Sequence, residues 1–491
     1  MLWIDCCCRV AEKCHVDDGW AARNQFAMWR AHACGMNTKL KRVFVLFLWL
    51  FAGCAGSAFA RQPLLIISID GLPPRYLAQA DALGLKIPNL RGFLKEGTSA
   101  QGVVGVMPSV TFPSHTTMVT GVSPAEHGIV ANTPFDPLLG NDDGWYWYAQ
   151  DVQVPTLWSA ASKAGLSTAA LNWSVTVGDR NIDFLLPEFW RRSNGEDLKL
   201  LRALSRPEGL IGSMEKNLGP YIDGYTDTLE SDQIRTRFAV NLLQEKKPYL
   251  MGVHLIALDG TEHREGPDTP ATYAVLEALD GMIGELVRAA TAARPDTVVA
   301  IVSDHGFFTT HTVVNLRAWL ASQGLMRIKE EAGKQQIADW DVHAWSGGGS
   351  AAIILKNSGD AALRQRLQEG LARLAADPAN GIANVLDARR AGQLGAFPEA
   401  SFVVEFAPGF YFGTAPSGPL LSPASSRGMH GYLPSHADMH AVFYAKGPGV
   451  AAGRNLGIID MRQLAPTFSR LLEVPLPTAN QPELRLGARA Q

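Results

Sequence analysis

The stretch LLIISIDG, from Leu64 to Gly71, is a nearly continuous apolar run that stops abruptly at Asp70. An apolar run without polar alternation suits a strand covered on both faces, as in a parallel sheet. Two further runs end the same way: YLMGVHLIAL ahead of Asp259-Gly260, and TVVAIVS ahead of Asp304-His305-Gly306. Helical periodicity falls between them, at about 155 to 164, 270 to 291 and 313 to 322. The alternation predicts an α/β fold, a mostly parallel central sheet with helices on both faces. Ligands in such sheets bind outside the carboxyl ends of the strands, and all three acidic clusters lie there.

The rhythm breaks between 328 and 425. A Gly-rich turn (Trp345-Ser-Gly-Gly-Gly-Ser350), a strand AAIIL, a charged helix from Asp360 to Ala375 and a strand SFVVEF from Ser401 predict a small α/β insertion. The expected organisation is a main domain made of 61–327 and 426–491, carrying 328–425 as a cap subdomain. The Gly-rich turn is no phosphate loop, because no Gly-Lys-Ser/Thr follows it.

Residues 36 to 60 have the anatomy of a secretory leader: basic Lys39, Lys41 and Arg42, an apolar run from Val43, and small residues ending in Ala58-Phe59-Ala60. Residues 1 to 35 are then an upstream extension that is not native, with the start at Met36. The apolar run is short for a bilayer span. The expected mature chain therefore has no transmembrane segment and is exported, to a periplasm, with a lipoprotein anchored at Cys54 as the minority alternative. All six cysteines precede residue 60, so a chain starting at Arg61 offers no disulfide and no thiolate metal site. The formal net charge of the whole chain is −3, and the first 60 residues are net basic, so the remainder is more acidic still. Such a balance argues against a nucleic-acid-coating surface.

Thr111 lies in VMPSVTFPSHTTMVTG, residues 106 to 121, where prolines interrupt regular structure and a helix can begin at the hydroxyl. A threonine hydroxyl is a weak nucleophile unless a base or a metal activates it. Metal-type residues are at hand: Asp70, Asp259 with His263 four residues on, Asp304 with His305, and His430 in RGMHGY. Oxygen and nitrogen donors without thiolate suit two Zn²⁺-like divalent ions.

The ordered set D-G at 70, T-F-P-x-H at 111 to 115, H-G-I-V-x-N ending at Asn132, D-x-x-x-H-x-x-G-P from 259, S-D-H-G from 303 and H-G-Y from 430 resembles the nucleotide pyrophosphatase/phosphodiesterase family of the alkaline phosphatase superfamily. The resemblance spans roughly 64 to 475. It implies an alkaline-phosphatase-like fold and a two-metal phosphodiesterase acting through a Thr111 phosphoryl-enzyme intermediate. One metal would be held by Asp259, His263 and His430, the other by Asp70, Asp304, His305 and the Thr111 hydroxyl. Asn132 would donate to a non-bridging phosphate oxygen, and Phe112 would stack a nucleobase. A second stacking aromatic has only Phe189 and Trp190 as candidates, and the aromatics at 145 to 148 read as packing.

Two departures concern substrate: Ser114 stands where the family usually has Asn, and Trp173-Ser174-Val175 where nucleotide-hydrolysing members often have W-P-G. The expected substrate is a small phosphate diester or nucleotide. A sulfatase would need a C/S-x-P-x-R motif at the nucleophile, and none is present. A phosphomonoesterase or phosphonate hydrolase of the same superfamily is the alternative. A non-enzymatic binding protein is disfavoured because every expected metal-ligand position is filled. Oligomeric state is open.

Overall fold

The computed structural model describes residues 61–139, 144–191, 196–224, 226–331 and 333–487. The leader and upstream extension fall outside the described residues. The central strand is β1 (Leu64–Ile69), every residue of which is buried. In chain order the other elements of interest begin with β2 (Thr98–Ser99), α1 (Thr111–Thr120), α2 (Leu157–Lys163), β3 (Thr168–Leu171) and β4 (Phe184–Leu186). They continue with α3 (Leu229–Lys246), β5 (Leu250–Leu255), α4 (Ala257–Glu265), α5 (Pro270–Ala293) and β6 (Val298–Val302). The inserted region supplies β7 (Val342–Ser346), β8 (Ser350–Leu355), α6 (Ala361–Ala375), β9 (Ile382–Asp387) and β10 (Phe402–Phe406), after which come β11 (Phe443–Lys446), β12 (Arg454–Asn455) and α7 (Leu464–Leu472).

The main sheet runs β12-β2-β11-β6-β1-β5-β3-β4. Its middle and one side, β6 through β4, are parallel, while β11 pairs antiparallel with β6. Side chains alternate across a strand, and β1 shows why its run needed no polar positions. Leu65, Ile67 and Ile69 join a cluster with Phe238 and Leu242 of α3 and Leu276 and Leu279 of α5. Leu64 and Ile66 join a second cluster with Met118 of α1, Trp158 of α2 and Phe468 of α7. Helices therefore cover both faces, as the sequence predicts.

Residues 342–406 supply a four-stranded antiparallel sheet, β7-β8-β10-β9, with Leu367 and Leu371 of α6 packed on it. Its apolar core also takes in Met107, Ala131, Tyr432 and Met439. This second sheet thus leans on the flanks of the Thr111 turn and of the loop carrying His430. Among the described residues no helix is long and apolar enough to cross a membrane.

Candidate metal centre and nucleophile turn

Adjacent parallel strands in register deliver their ends to one place. Ser68 of β1 pairs with Val302 of β6, so Asp70 and the Asp304-His305 pair emerge side by side. Gly71, at φ 77°, turns the chain back and donates its N–H to Asp304 Oδ1 at 3.0 Å. A side chain could not replace that glycine: a Cβ there would come within 2.8 Å of Phe307. Asp259 departs from the expectation that it ends a strand. The strand stops at Leu255, and Ile256 leads directly into α4, which carries Asp259 and His263 one turn apart. Asp232 of α3 holds the start of that helix by accepting the Ala257 N–H at 2.8 Å, and Arg235 donates to the other Asp232 oxygen at 2.7 Å.

The predicted ligands converge into two groups whose donor atoms all lie within 4.8 Å of one another: Asp70, Asp304 and His305, and Asp259, His305 and His430. His305 stands between them, stacked on His430 with ring centres 3.7 Å apart. His263 lies outside both groups and reaches the second through Asp259, its Nε2 3.5 Å from Oδ1. His430 Nε2 is 3.7 Å from the same oxygen. The expected division, with His263 in one triad and His305 only in the other, is therefore blurred in this conformation.

The donor atoms crowd one another, with His305 Nε2 3.1 Å from Asp304 Oδ2. Among the described residues, Asp70 Oδ1, Asp259 Oδ1, Asp304 Oδ2 and His305 Nε2 are all buried without a well-formed hydrogen bond, an arrangement costly for polar groups unless a cation sits among them. The outer nitrogens of His263 and His430 are occupied, while His305 Nδ1 has no hydrogen bond among the described residues. His263 Nδ1 lies 2.9 Å from the Gly428 carbonyl and His430 Nδ1 3.2 Å from the Ser109 carbonyl. A carbonyl only accepts, so the proton sits on Nδ1 and each Nε2 presents a lone pair inward.

Electrostatics point the same way. Burial, then the Asp304 and Asp259 carboxylates, push the Asp70 carboxyl well above its ordinary range. Burial first, with Asp227 adding, raises Asp259 to about 8, and burial raises Asp304 as well. The imidazoles move oppositely: burial holds His305 and His430 well below the usual value, and neighbouring histidines add to it. A site in which carboxylates resist ionisation and histidines resist protonation lacks positive charge. Divalent cations bound to this donor set would supply it.

Thr111 is the first residue of α1, buried to 8 % exposure. Asn132 is beside it: its Oδ1 accepts the Phe112 N–H at 3.0 Å. With that oxygen engaged, only the amide NH₂ remains to donate. Phe112 corrects an expectation. Its ring is fully buried against Trp145 and Trp147, with centres 5.2 and 5.7 Å away, so it has no open face for a base. Trp190 and Phe189, the candidate second aromatics, pack in the same cluster.

His115, the last residue of the T-F-P-x-H motif, supports the Thr111 loop as expected of it, and several further residues support the site without a signal of that role in the sequence. His115 bonds the Thr111 carbonyl and Ser68 Oγ, both at 2.9 Å. Ser109 donates to the Tyr432 carbonyl at 2.7 Å, tying the Thr111 turn to the His430 loop. Gly349 of the Gly-rich turn donates its N–H to the His430 carbonyl at 2.7 Å. His254 of β5 touches Asp70 from behind, and Glu188, raised to about 7 by burial, lies 3.9 Å from His254.

The family model of type I phosphodiesterase / nucleotide pyrophosphatase matches residues 64–433. The chain is 25% identical over 326 residues to an uncharacterised pyrophosphatase/phosphodiesterase of Schizosaccharomyces pombe, covering 61% of this chain and 57% of that protein. It is 29% identical over 275 residues to a bis(5'-adenosyl)-triphosphatase of Bos taurus, covering 54% and 52%. The chain thus spans little more than half the length of these two relatives. Among solved structures, murine ectonucleotide pyrophosphatase / phosphodiesterase 5 is similar with a TM-score of 0.60 at 20% identity, covering 87% of this chain and 98% of that one. A likeness at that identity speaks for the fold, an alkaline-phosphatase-like α/β architecture.

Proposed function

Because the chain belongs to the type I phosphodiesterase / nucleotide pyrophosphatase family, we propose that it is a hydrolase of small phosphate diesters and nucleotide phosphoanhydrides, with a two-cation site beside the Thr111 hydroxyl. The observation that carries the proposal is the convergence of unpartnered, buried carboxylate and imidazole atoms at the carboxyl edge of the sheet. The bovine relative is named for cleaving a dinucleoside triphosphate. An inactive threonine-to-alanine variant of the murine protein is described in complex with AMP. The first agrees in kind with a nucleotide substrate, the second with a nucleotide ligand and an essential threonine.

Asp70, Asp304, His305 and Thr111 would hold one cation and Asp259, His263 and His430 the other, with Zn²⁺ the ion that fits oxygen and nitrogen donors without thiolate. Bound there, the cations would neutralise developing charge on the phosphoryl oxygens and favour ionisation of the Thr111 hydroxyl. Thr111 Oγ1 would then attack phosphorus as the bond to the leaving oxygen breaks, leaving a threonine phosphate ester that keeps the other substituent, and water would hydrolyse that ester to release the monoester and restore the hydroxyl. Asn132, its carbonyl held by the Phe112 N–H, would direct its NH₂ protons to a non-bridging oxygen.

Diesters are favoured over monoesters by the scarcity of free positive charge. No Lys or Arg lies between Gly97 and Gly128, and Arg264, on α4 beside Asp259, is paired to Asp227 at 2.7 Å. A monoanionic diester needs less compensation than a dianionic monoester. The test compares kcat/KM for bis(4-nitrophenyl) phosphate and 4-nitrophenyl phosphate in one Zn²⁺-loaded preparation, with dinucleotides and phosphonoacetate run alongside. The diester is expected to win by at least tenfold, about 1.4 kcal/mol. A preference for the monoester moves the enzyme to the phosphatase branch. Thr111→Ala should retain metal and lose at least roughly a thousandfold in kcat, and a near-normal rate would remove the nucleophile assignment.

The proposal includes the domain division, 61–327 with 426–491 carrying 328–425 as a cap, and export through the leader at 36 to 60. Exported protein should begin at Arg61 on N-terminal sequencing. A fatty-acylated Cys54 would favour the lipoprotein alternative, and residues 1–35 on the exported chain would refute the leader.

A further inference from the structure

His254 sits on a strand face that is otherwise apolar. Met251, Val253 and Leu255 of β5 point into one core cluster, so Gly252 and His254 face the other side, where Trp158 and Trp173 crowd Gly252. The ring is fully buried. An imidazole in such a place costs stability unless its polar atoms are satisfied. Each has a partner in reach, Nδ1 3.1 Å from the Asn172 carbonyl and Nε2 3.1 Å from Asp70 Oδ2, and a neutral ring donates to only one of them. The strand register brings Ser68 of β1 alongside, and the His115 ring packs 4.1 Å away, itself held by Ser68 and the Thr111 carbonyl.

The two oxygens of Asp70 are therefore treated differently. Oδ2 is held by His254, while Oδ1 has no partner and points at the cluster, 3.5 Å from His305 Nε2. A carboxylate free to rotate would lose entropy and alignment each time it took up a cation. Partners behind a metal ligand remove that freedom. We infer that His254 is a positioning residue for Asp70: the hydrogen bond between its Nε2 and Oδ2 fixes the carboxyl group so that Oδ1 faces the cation shared with Asp304 and His305. The inference rests on the two-cation reading of the site. Positioning needs only the Nε2 bond to Asp70, and the Nδ1 contact with the Asn172 carbonyl is the one a merely structural histidine would keep.

That distinction sets the experiment. A glutamine amide reaches about as far as Nε2, whereas an asparagine amide reaches only about as far as Nδ1. Full-length protein, stripped of metal and checked for folding by apo-state Tm, is titrated with Zn²⁺ against a chelator of known affinity. His254→Gln is expected to bind within about threefold of the parent. His254→Asn, which can keep the Asn172 contact and not the Asp70 one, is expected to bind one of two Zn²⁺ ions about 10- to 100-fold more weakly. Should His254→Asn not fold, His254→Met, with no donor at all, takes its place with the same expectation. Parent-like affinity in the variant lacking the Nε2 bond, or equal weakening in His254→Gln, overturns the positioning role. Failure of the parent itself to bind Zn²⁺ overturns the two-cation reading instead.

Discussion

His127 shows what a single buried imidazole implies for stability. Its Nδ1 accepts the Ile129 N–H at 3.1 Å, and its Nε2 lies 3.0 Å from Thr117 Oγ1, whose hydroxyl donates to the Val122 carbonyl. The neutral ring fits this network, and a proton on Nδ1 would face another N–H. Burial accordingly holds its pKa at about 3, below the ordinary 6.5. The unfolded chain therefore binds the proton first as pH falls. His127 contributes stability that is fully present above about 6.5 and is lost progressively toward 3, about 2 kcal/mol of it by pH 5. Unfolding free energies at pH 8 and pH 5 should thus differ less in His127→Gln than in the parent, and an identical pH slope in both would refute the account. The metal-type residues were legible from sequence because acidic and imidazole groups after apolar runs are few and chemically specific. His254 was not, because a histidine inside an apolar run looks the same whether it orients a ligand or merely packs. Phe112 misled for a related reason: adjacency to Thr111 along the chain does not say that its ring turns inward against Trp145 and Trp147.

Strands and helices were legible where their periods were uninterrupted, as in β1, β6 and α5, the last of which runs to Ala293 from the expected Pro270. Asp259 was misplaced because the apolar residues opening α4 continue the strand's pattern without a break, and the boundary is set by Asp232 capping from another helix. The Gly-rich turn between β7 and β8 was visible, but its purpose was not, since that depends on what approaches it. Gly349 donates to the His430 carbonyl. Gly431, at φ 88°, lies so close that an added Cβ would fall 1.8 Å from the Gly347 carbonyl oxygen. The insertion therefore grips the His430 loop backbone to backbone. Gly431→Ala should cost roughly 2–4 kcal/mol, from left-handed strain and overpacking together, and should lower Zn²⁺ retention because His430 moves with the loop. Urea unfolding and metal analysis of one preparation check both, and a loss of stability with full metal content would show that the turn supports the fold without holding His430.

At the scale of the whole molecule, the parallel sheet was legible because both faces of β1 are buried by helices. The packing of the insertion over the Thr111 turn was not, because Met107, Ala131, Tyr432 and Met439 come from segments far apart in the chain. The amino end of the central strand β1, near Arg61, carries the last prediction. There the backbone is already tied: Gln62 N donates to the Leu471 carbonyl at 2.9 Å and Leu64 N to the Tyr249 carbonyl at 2.8 Å, while the Pro63 carbonyl accepts Val298 N at 2.8 Å. The Tyr249 hydroxyl donates to the Arg61 carbonyl at 2.7 Å. Among the described residues, the clusters on the two faces of β1 are built from 64 onward. A protein begun at Arg61 should therefore close its own core, with an apparent Tm within about 2 °C of the full chain and the same Zn²⁺ content and kcat/KM. In a domain this large 1 kcal/mol moves Tm by only about 2 °C or less. A fall of more than about 5 °C would mean that the first 60 residues contribute several kcal/mol to the folded state, and the leader assignment for 36 to 60 would fall with it.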